Sequence, residues 1–266
     1  MTAPREAIEP VHIKAPTRGN RRLDKLLAAV NADDQVKAWW RMQALNADRL
    51  HMSDHSWVHI QIVVNIALRL SRLLFRRGVE PVMVADHSMT ERDAEVVIAA
   101  AAMLHDVGMQ VHRTDHESYS LFLAADKLPE LLADVYKEPE RSIVVAEALH
   151  AIIGHRRRGD PFTIEAGIVR VADALDMARG RSRVPFEAGH QNIHSLSAYA
   201  IEDVKIASGR DKAVRVEIQM SNSAGIFQVD ELLATKLRGS GLEEHVEVVA
   251  RIDAEHEKRL MQVFRI

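Results

Sequence analysis

Three segments of this chain set a polar, metal-competent side chain inside an otherwise apolar helical run. They are His59 in SWVHIQIVVNIAL, His105 and Asp106 in AAMLHDVG, and Asp173 in IVRVADALD. A polar group taken out of water without a partner is penalised by roughly 2–7 kcal/mol, so a fold that buries all three segments has to satisfy these side chains inside it. A divalent cation is one partner that imidazoles and carboxylates can share.

The rest of the composition narrows the classes. With 266 residues, 47% hydrophobic and 27% charged, the chain has enough for a sizeable core, or for a large domain and a small one. A formal charge of −3 leaves no basic footprint for DNA or RNA over the whole surface. There is no cysteine, so disulfides and thiolate ligands are excluded and a metal must be held by nitrogen and oxygen; this fits a cytoplasmic protein. No apolar run approaches the roughly 20 residues of a membrane span. Residues 1–20 mix prolines and charges and read as an N-terminal arm rather than a targeting peptide.

Periodicity predicts a mainly α chain, a helical bundle over residues 21–195 followed by a small α+β domain over 196–266. Helices are expected at 21–30 and 35–50, with Trp39 and Trp40 packing, and at 54–77, capped by Ser53 or Asp54. On that third helix His59, Ile62, Val63, Ile66 and Leu70 fall on one stripe that faces inward. Further helices are expected at 90–105, stopped near Gly108, then at 118–125, 128–136 and 142–153, and from a Thr163 cap to about 179. Beyond the boundary near 192–197, strands are expected at 204–207, 214–220 and 225–229. A short helix at 231–237 capped by Asp230 follows, and then a strand pair at 246–252 and 260–264.

His105 and Asp106 are adjacent and diverge by about 100° on a regular helix, so they meet one ion only if the helix ends there. Asp106 has two oxygens and can bridge two metals, whereas an imidazole cannot. His55 and His59 are one turn apart and share a face. His150 and His155 point about 140° apart, so both do not reach one ion. Asp176 and Arg170 flank Asp173 by one turn on either side, the spacing of an ion pair that orients it. Mixed nitrogen and oxygen donors suit Mn, Fe, Co, Ni or Zn without choosing among them.

The ordered set His59, His105-Asp106 and Asp173, with Val63, Val64 and Ala67 after the first histidine and Val171 to Asp176 around the last aspartate, resembles the HD superfamily of metal-dependent phosphohydrolases over roughly residues 50 to 185. The resemblance implies an HD-type bundle in which these four residues hold a metal. Its two-metal branch has ligands in the order His, His-Asp, His, His, Asp, which places His116 and His155 as further ligands around a bridging Asp106. His55 and His150 are then left to orient ligands. The cyclic di-GMP branch carries a Gly-Tyr-Pro signature that is missing here, although Gly159-Asp160-Pro161 lies near its place.

The function so implied is hydrolysis of a phosphodiester, phosphomonoester or phosphoanhydride in a nucleotide-like small molecule by a metal-bound hydroxide, with one or two divalent metals. Arg156, Arg157 and Arg158 after His155, and Arg179, Arg181 and Arg183 after the Asp173 helix, are the candidate phosphate contacts, since guanidinium matches phosphate geometry. An iron-dependent oxygenase and a non-enzymatic nucleotide sensor use similar residues and stay open. No nucleophile elbow or phosphate-binding glycine loop competes. The small domain is left as a lid, a regulatory pocket or a dimer surface, and a homodimer is expected.

Overall fold

The apolar helix that carries His59 is the axis against which the other helices are laid. The structure, a computed structural model, describes residues 11–178 and 193–252. In this helix, α3 (Trp57–Phe75), Val63, Ala67, Leu70 and Leu74 are buried. The buried arc is wider than expected and extends to Ile60, Val64 and Leu68, because the helix packs on two neighbours at once. Ile62 therefore falls at its edge and is exposed, a correction to the expected stripe. Ser56, not Ser53 or Asp54, caps the helix, its hydroxyl accepting from the Val58 amide, while Asp54 accepts from the amide of Ser56. Against expectation, α3 is long and apolar enough to cross a membrane by length and composition; 61% of the stretch is nevertheless buried in the protein's own interior.

Around this axis, α1 (Arg21–Ala32) and α2 (Asp34–Arg49) are capped by Asn20 and Asp33. Trp40 packs as expected, fully buried, and donates its indole N–H to the carbonyl of Met103. A one-turn helix α4 (Val82–Ala85) was not anticipated; buried Glu165 accepts from the amides of Val82 and Met83 and holds it. Next, α5 (Glu91–Leu104) starts from a Thr90–Asp93 capping box, and α6 (His116–Leu131) runs unbroken through Pro129 where two helices were expected. Leu128 and Leu131 continue the buried face of Ala124, so packing carries the helix across the gap. Then come α7 (Glu140–Gly154) and α8 (Ile164–Leu175), the latter capped by Thr163 as expected. Helix α3 packs on α5 and α8, α5 on α7, and α7 on α6 and α8.

After α9 (Ile193–Tyr199), strands β1 (Ile201–Ser208), β2 (Val214–Met220) and β3 (Val246–Ile252) form a sheet in the order β1-β2-β3. β1 and β2 are antiparallel, β2 and β3 parallel. Buried Ile201, Val214, Val216 and Ile218 join the same apolar core as the helices. The strand expected at 225–229 is a correction: the chain forms a 3₁₀ turn at Ser223–Gly225 and a π-helix at Gln228–Ala234 that runs into α10 (Thr235–Leu237). Asn222 caps the turn by accepting from the Ala224 amide. A Cβ on Gly225 would lie 2.6 Å from Met220 Sδ, so the chain folds back tightly on the end of β2 instead of extending. The strand expected at 260–264 lies outside the described residues, as does part of the expected domain boundary.

Candidate metal centre

Five helix ends meet at one place. His59 is in the first turn of α3, His105 caps the end of α5, His116 opens α6, His155 caps the end of α7, and Asp173 is in the last turn of α8. Asp106 follows α5 in a bend (φ −105°, ψ 2°) that leads into a 3₁₀ turn, Val107–Gln110. That bend removes the divergence of adjacent helical residues, as the sequence required. The helix stops near Gly108 as expected, and the glycine has a second role there. Its φ is not positive, and a Cβ there would sit 1.9 Å from the carbonyl oxygen of His116 and 2.4 Å from the amide of Ser120. It is glycine because α6 rests directly on it, and its amide donates to the Ser120 hydroxyl.

The six expected side chains form two triads with donor atoms within 4.8 Å of one another: His59, His105 and Asp173, and Asp106, His116 and His155. Asp106 faces both. Its Oδ2 lies 3.4 Å from His105 Nε2 and 3.5 Å from His59 Nε2, and its Oδ1 lies 3.1 Å from His116 Nε2 and 3.7 Å from His155 Nε2. Asp173 Oδ1 is 3.5 Å from His59 Nε2 and 3.8 Å from His105 Nε2. Ligand bonds of about 2.1 Å put neighbouring donor atoms roughly 3.0–3.4 Å apart, so these separations suit cations at two positions.

The other ring nitrogen of each histidine is already committed. Nδ1 of His59 lies 2.6 Å from Asp176 Oδ2. Nδ1 of His105, His116 and His155 each reaches a backbone carbonyl three residues earlier, of Ala102, Arg113 and Ile152. With the proton on Nδ1, each Nε2 presents a lone pair to the centre, and His59 and His105 do so toward each other at 3.4 Å. Such a facing pair calls for a cation between them. The electrostatics favour positive charge at this place, which a proton on His105 supplies as well as a metal would. Burial disfavours the charged imidazole of His105, but the Asp106 and Asp173 carboxylates outweigh it and push it up to about 10. Burial opposes ionisation of Asp106, yet His105, His116 and His155 hold it well below the carboxylate range. Burial and the His105 charge push His155 down.

His59 and His105 are wholly buried, while Asp106, His116, His155 and Asp173 line a pocket of about 530 Å³. Of the supporting residues, Asp176 does orient a ligand, although the ligand is His59. It can do so because α8 stops at Leu175, earlier than expected, and turns the Asp176 carboxylate inward. His55 lies against His59, ring centroids 5.5 Å apart, with Nδ1 at the Ser53 carbonyl. Two expectations are corrected. His150 stacks on Phe162 and accepts from its amide, away from the triads. Arg170 does not pair with Asp173: its guanidinium is buried and donates to the carbonyls of Gly154, Arg156, Arg157, Thr235 and Lys236.

Among the candidate phosphate contacts, Arg157 lines the pocket and pairs with Glu231 at 3.1 Å. Arg156 turns to the Ser118 hydroxyl, and Arg158 is exposed and does not line the pocket. Arg179, Arg181 and Arg183 lie outside the described residues. Two pocket cations escaped the sequence reading. Arg113 lies with its guanidinium beside His116 at the pocket wall, and its position three residues upstream is the available signal. Lys236 pairs with Asp173 Oδ2 from 63 residues away, with no sequence signal to announce it.

A family model of the HD domain matches residues 52–178. An uncharacterized protein from Methanocaldococcus jannaschii is 41% identical over 222 residues, 83% of this chain and 86% of that protein. Ribonuclease Y from Thermoanaerobacter pseudethanolicus is 28% identical over 189 residues, 67% of this chain and 34% of that enzyme. Ribonuclease Y from Chloroflexus aurantiacus is 29% identical over 174 residues, 62% of this chain and 30% of that enzyme. The chain spans about a third of the length of these two enzymes.

Proposed function

The chain belongs to the HD superfamily of metal-dependent phosphohydrolases, and on that premise we propose that it hydrolyses a phosphoester or phosphoanhydride in a small nucleotide-like molecule, using two divalent metals bridged by Asp106. The observation that carries this reading is the division of one carboxylate between two histidine pairs, Oδ2 to His59 and His105, Oδ1 to His116 and His155. His59, His105 and Asp173 would hold one metal, and His116 and His155 the other. When bound, the pair supplies Lewis acidity and lowers the pKa of coordinated water.

The chain's own residues do the rest. Asp106 sets the separation of the two positions. Asp176 and the three carbonyls keep each imidazole in the tautomer that offers Nε2. Arg157 and Arg113 bring positive charge to the rim where a phosphate would lie. Leu50, Met52, Met177 and Leu232 give the same pocket an apolar lining, and about 530 Å³ is within the range of small-molecule sites.

A second reading, cleavage of RNA, is favoured by the likeness to ribonuclease Y over a third of that enzyme's length. Turnover of bis(p-nitrophenyl) phosphate, diadenosine polyphosphates and a short RNA by protein loaded with Mn, Co, Zn or Fe separates the two. The proposal expects phosphate-ester turnover of the small substrates and none by a folded Asp106→Ala protein. Preference for the RNA would establish the second reading. Oxygen-dependent turnover without phosphorus chemistry, or no turnover with any metal, would overturn both.

A further inference from the structure

Asp173 uses its two oxygens on opposite sides. Oδ1 faces Nε2 of His59 and His105, while Oδ2 takes the ammonium of Lys236. The lysine therefore does not compete for the oxygen that faces the histidines. Both partners are mostly shielded, their side chains 18% and 13% exposed. The neighbouring Arg157–Glu231 pair, at 66% and 51%, belongs to the surface class of little energetic weight.

Lys236 is also fixed at its backbone. Arg170 Nε donates to the Lys236 carbonyl at 2.8 Å, and the same guanidinium holds the carbonyls of Gly154, Arg156 and Arg157 on either side of His155. One buried arginine thus ties the segment around one metal-facing histidine to the residue that touches Asp173. The π-helix Gln228–Ala234 precedes the lysine directly, and Gln228, Glu231, Leu232 and Lys236 all line the pocket. Wide π turns inside helices are frequent at functional sites.

We infer that Lys236, from the region beyond the HD match, has two roles in the site. It orients Asp173 through Oδ2, and it presents its ammonium to a phosphate oxygen of the substrate. An ammonium carries three donors, of which the Asp173 contact uses one, and Lys236 is itself part of the pocket wall beside Asp106 and His155. A compact point charge on a flexible stem can reach a phosphate oxygen while it keeps the Asp173 contact. The C-terminal segment then completes the site rather than merely packing beside it. This inference rests on the hydrolase reading for the identity of the anion.

The test compares native protein with Lys236→Gln and Lys236→Arg, and with Lys205→Gln as an exposed-lysine control. Two quantities are read: the dissociation constant for Mn in competition with a chelator, and that for inorganic phosphate on Mn-loaded protein. The inference expects K236Q to weaken phosphate at least tenfold and Mn severalfold, K236R to recover part of the phosphate loss, and K205Q to change neither. A phosphate constant for K236Q within twofold of native overturns it, whatever the turnover. The hydrolase reading fails on a different result, namely native protein that takes up metal yet cleaves none of the phosphoesters tested. If phosphate binds natively in that case, the K236Q comparison still decides the role of the lysine.

Discussion

Asp176 Oδ2 lies 2.6 Å from Nδ1 of His59, joining the end of α8 to the start of α3 across 117 residues of sequence. Both side chains are buried. The carboxylate fixes the proton on Nδ1 and turns Nε2 toward His105, Asp106 and Asp173. Residues that orient a ligand in this way typically contribute roughly 10–100-fold to metal affinity. Asp176→Ala is therefore expected to weaken metal by about that factor, with Asp176→Asn losing less because its amide oxygen still accepts. Chelator competition on the folded variants measures it, and unchanged affinity would remove the orienting role.

Gly108→Ala is expected to damage the second metal position selectively. The added Cβ meets backbone of His116 and Ser120, which cannot rotate away as a side chain would. The start of α6 must shift, and His116 shifts with it relative to Asp106. Metal content near one per chain with retained helical circular dichroism is the expected result. Two metals in G108A would show that α6 can move without disturbing the ligand.

Arg170→Met is expected to lower stability even in metal-free protein. The guanidinium serves five buried or half-buried carbonyls, and leaving buried acceptors unpaired is penalised by about 1–3 kcal/mol each before relaxation. A net loss of about 3 kcal/mol in urea unfolding is the expectation. A loss under about 0.5 kcal/mol, the range of neutral surface changes, would show that water replaces the arginine.

Acid should weaken the fold through Asp93. Burial opposes its charge, but Tyr136, Thr90 and Arg22 all donate to it and hold it below the usual carboxylate value. A folded-state pKa that is depressed contributes stability present above the unfolded value of 3.8 and lost as pH falls through the folded one. Asp93→Asn should therefore be less stable than native at neutral pH, and the gap should narrow below about pH 4. A gap that does not change between pH 7 and pH 3 would contradict the assignment.

The bundle was legible because its helices carry strong caps and apolar faces: the Thr163 cap and the presence of helices around His59 and Asp173 follow from spacing, while the cap of the first and the end of the second do not. The six metal-facing residues were legible through motif order, which is independent of tertiary contact. What escaped depends on contacts far along the chain. Lys236 reaches Asp173 across 63 residues, and Arg170 spends its donors on backbone carbonyls, which no side-chain pattern reveals. The segment at 225–229 alternates like a strand, but the close approach of Gly225 to Met220 turns it into the start of the pocket wall. His150 shared a helix with the site yet faces Phe162, because helical position alone does not say where a neighbouring loop will lie.

The most direct test of the account is metal content per chain in native protein and in a His116→Ala, His155→Ala variant, measured after reconstitution and removal of loosely held ions. The division of Asp106 between two histidine pairs predicts two ions in the native protein and one in the variant. A single ion in both proteins would contradict it and leave only the site of His59, His105, Asp106 and Asp173.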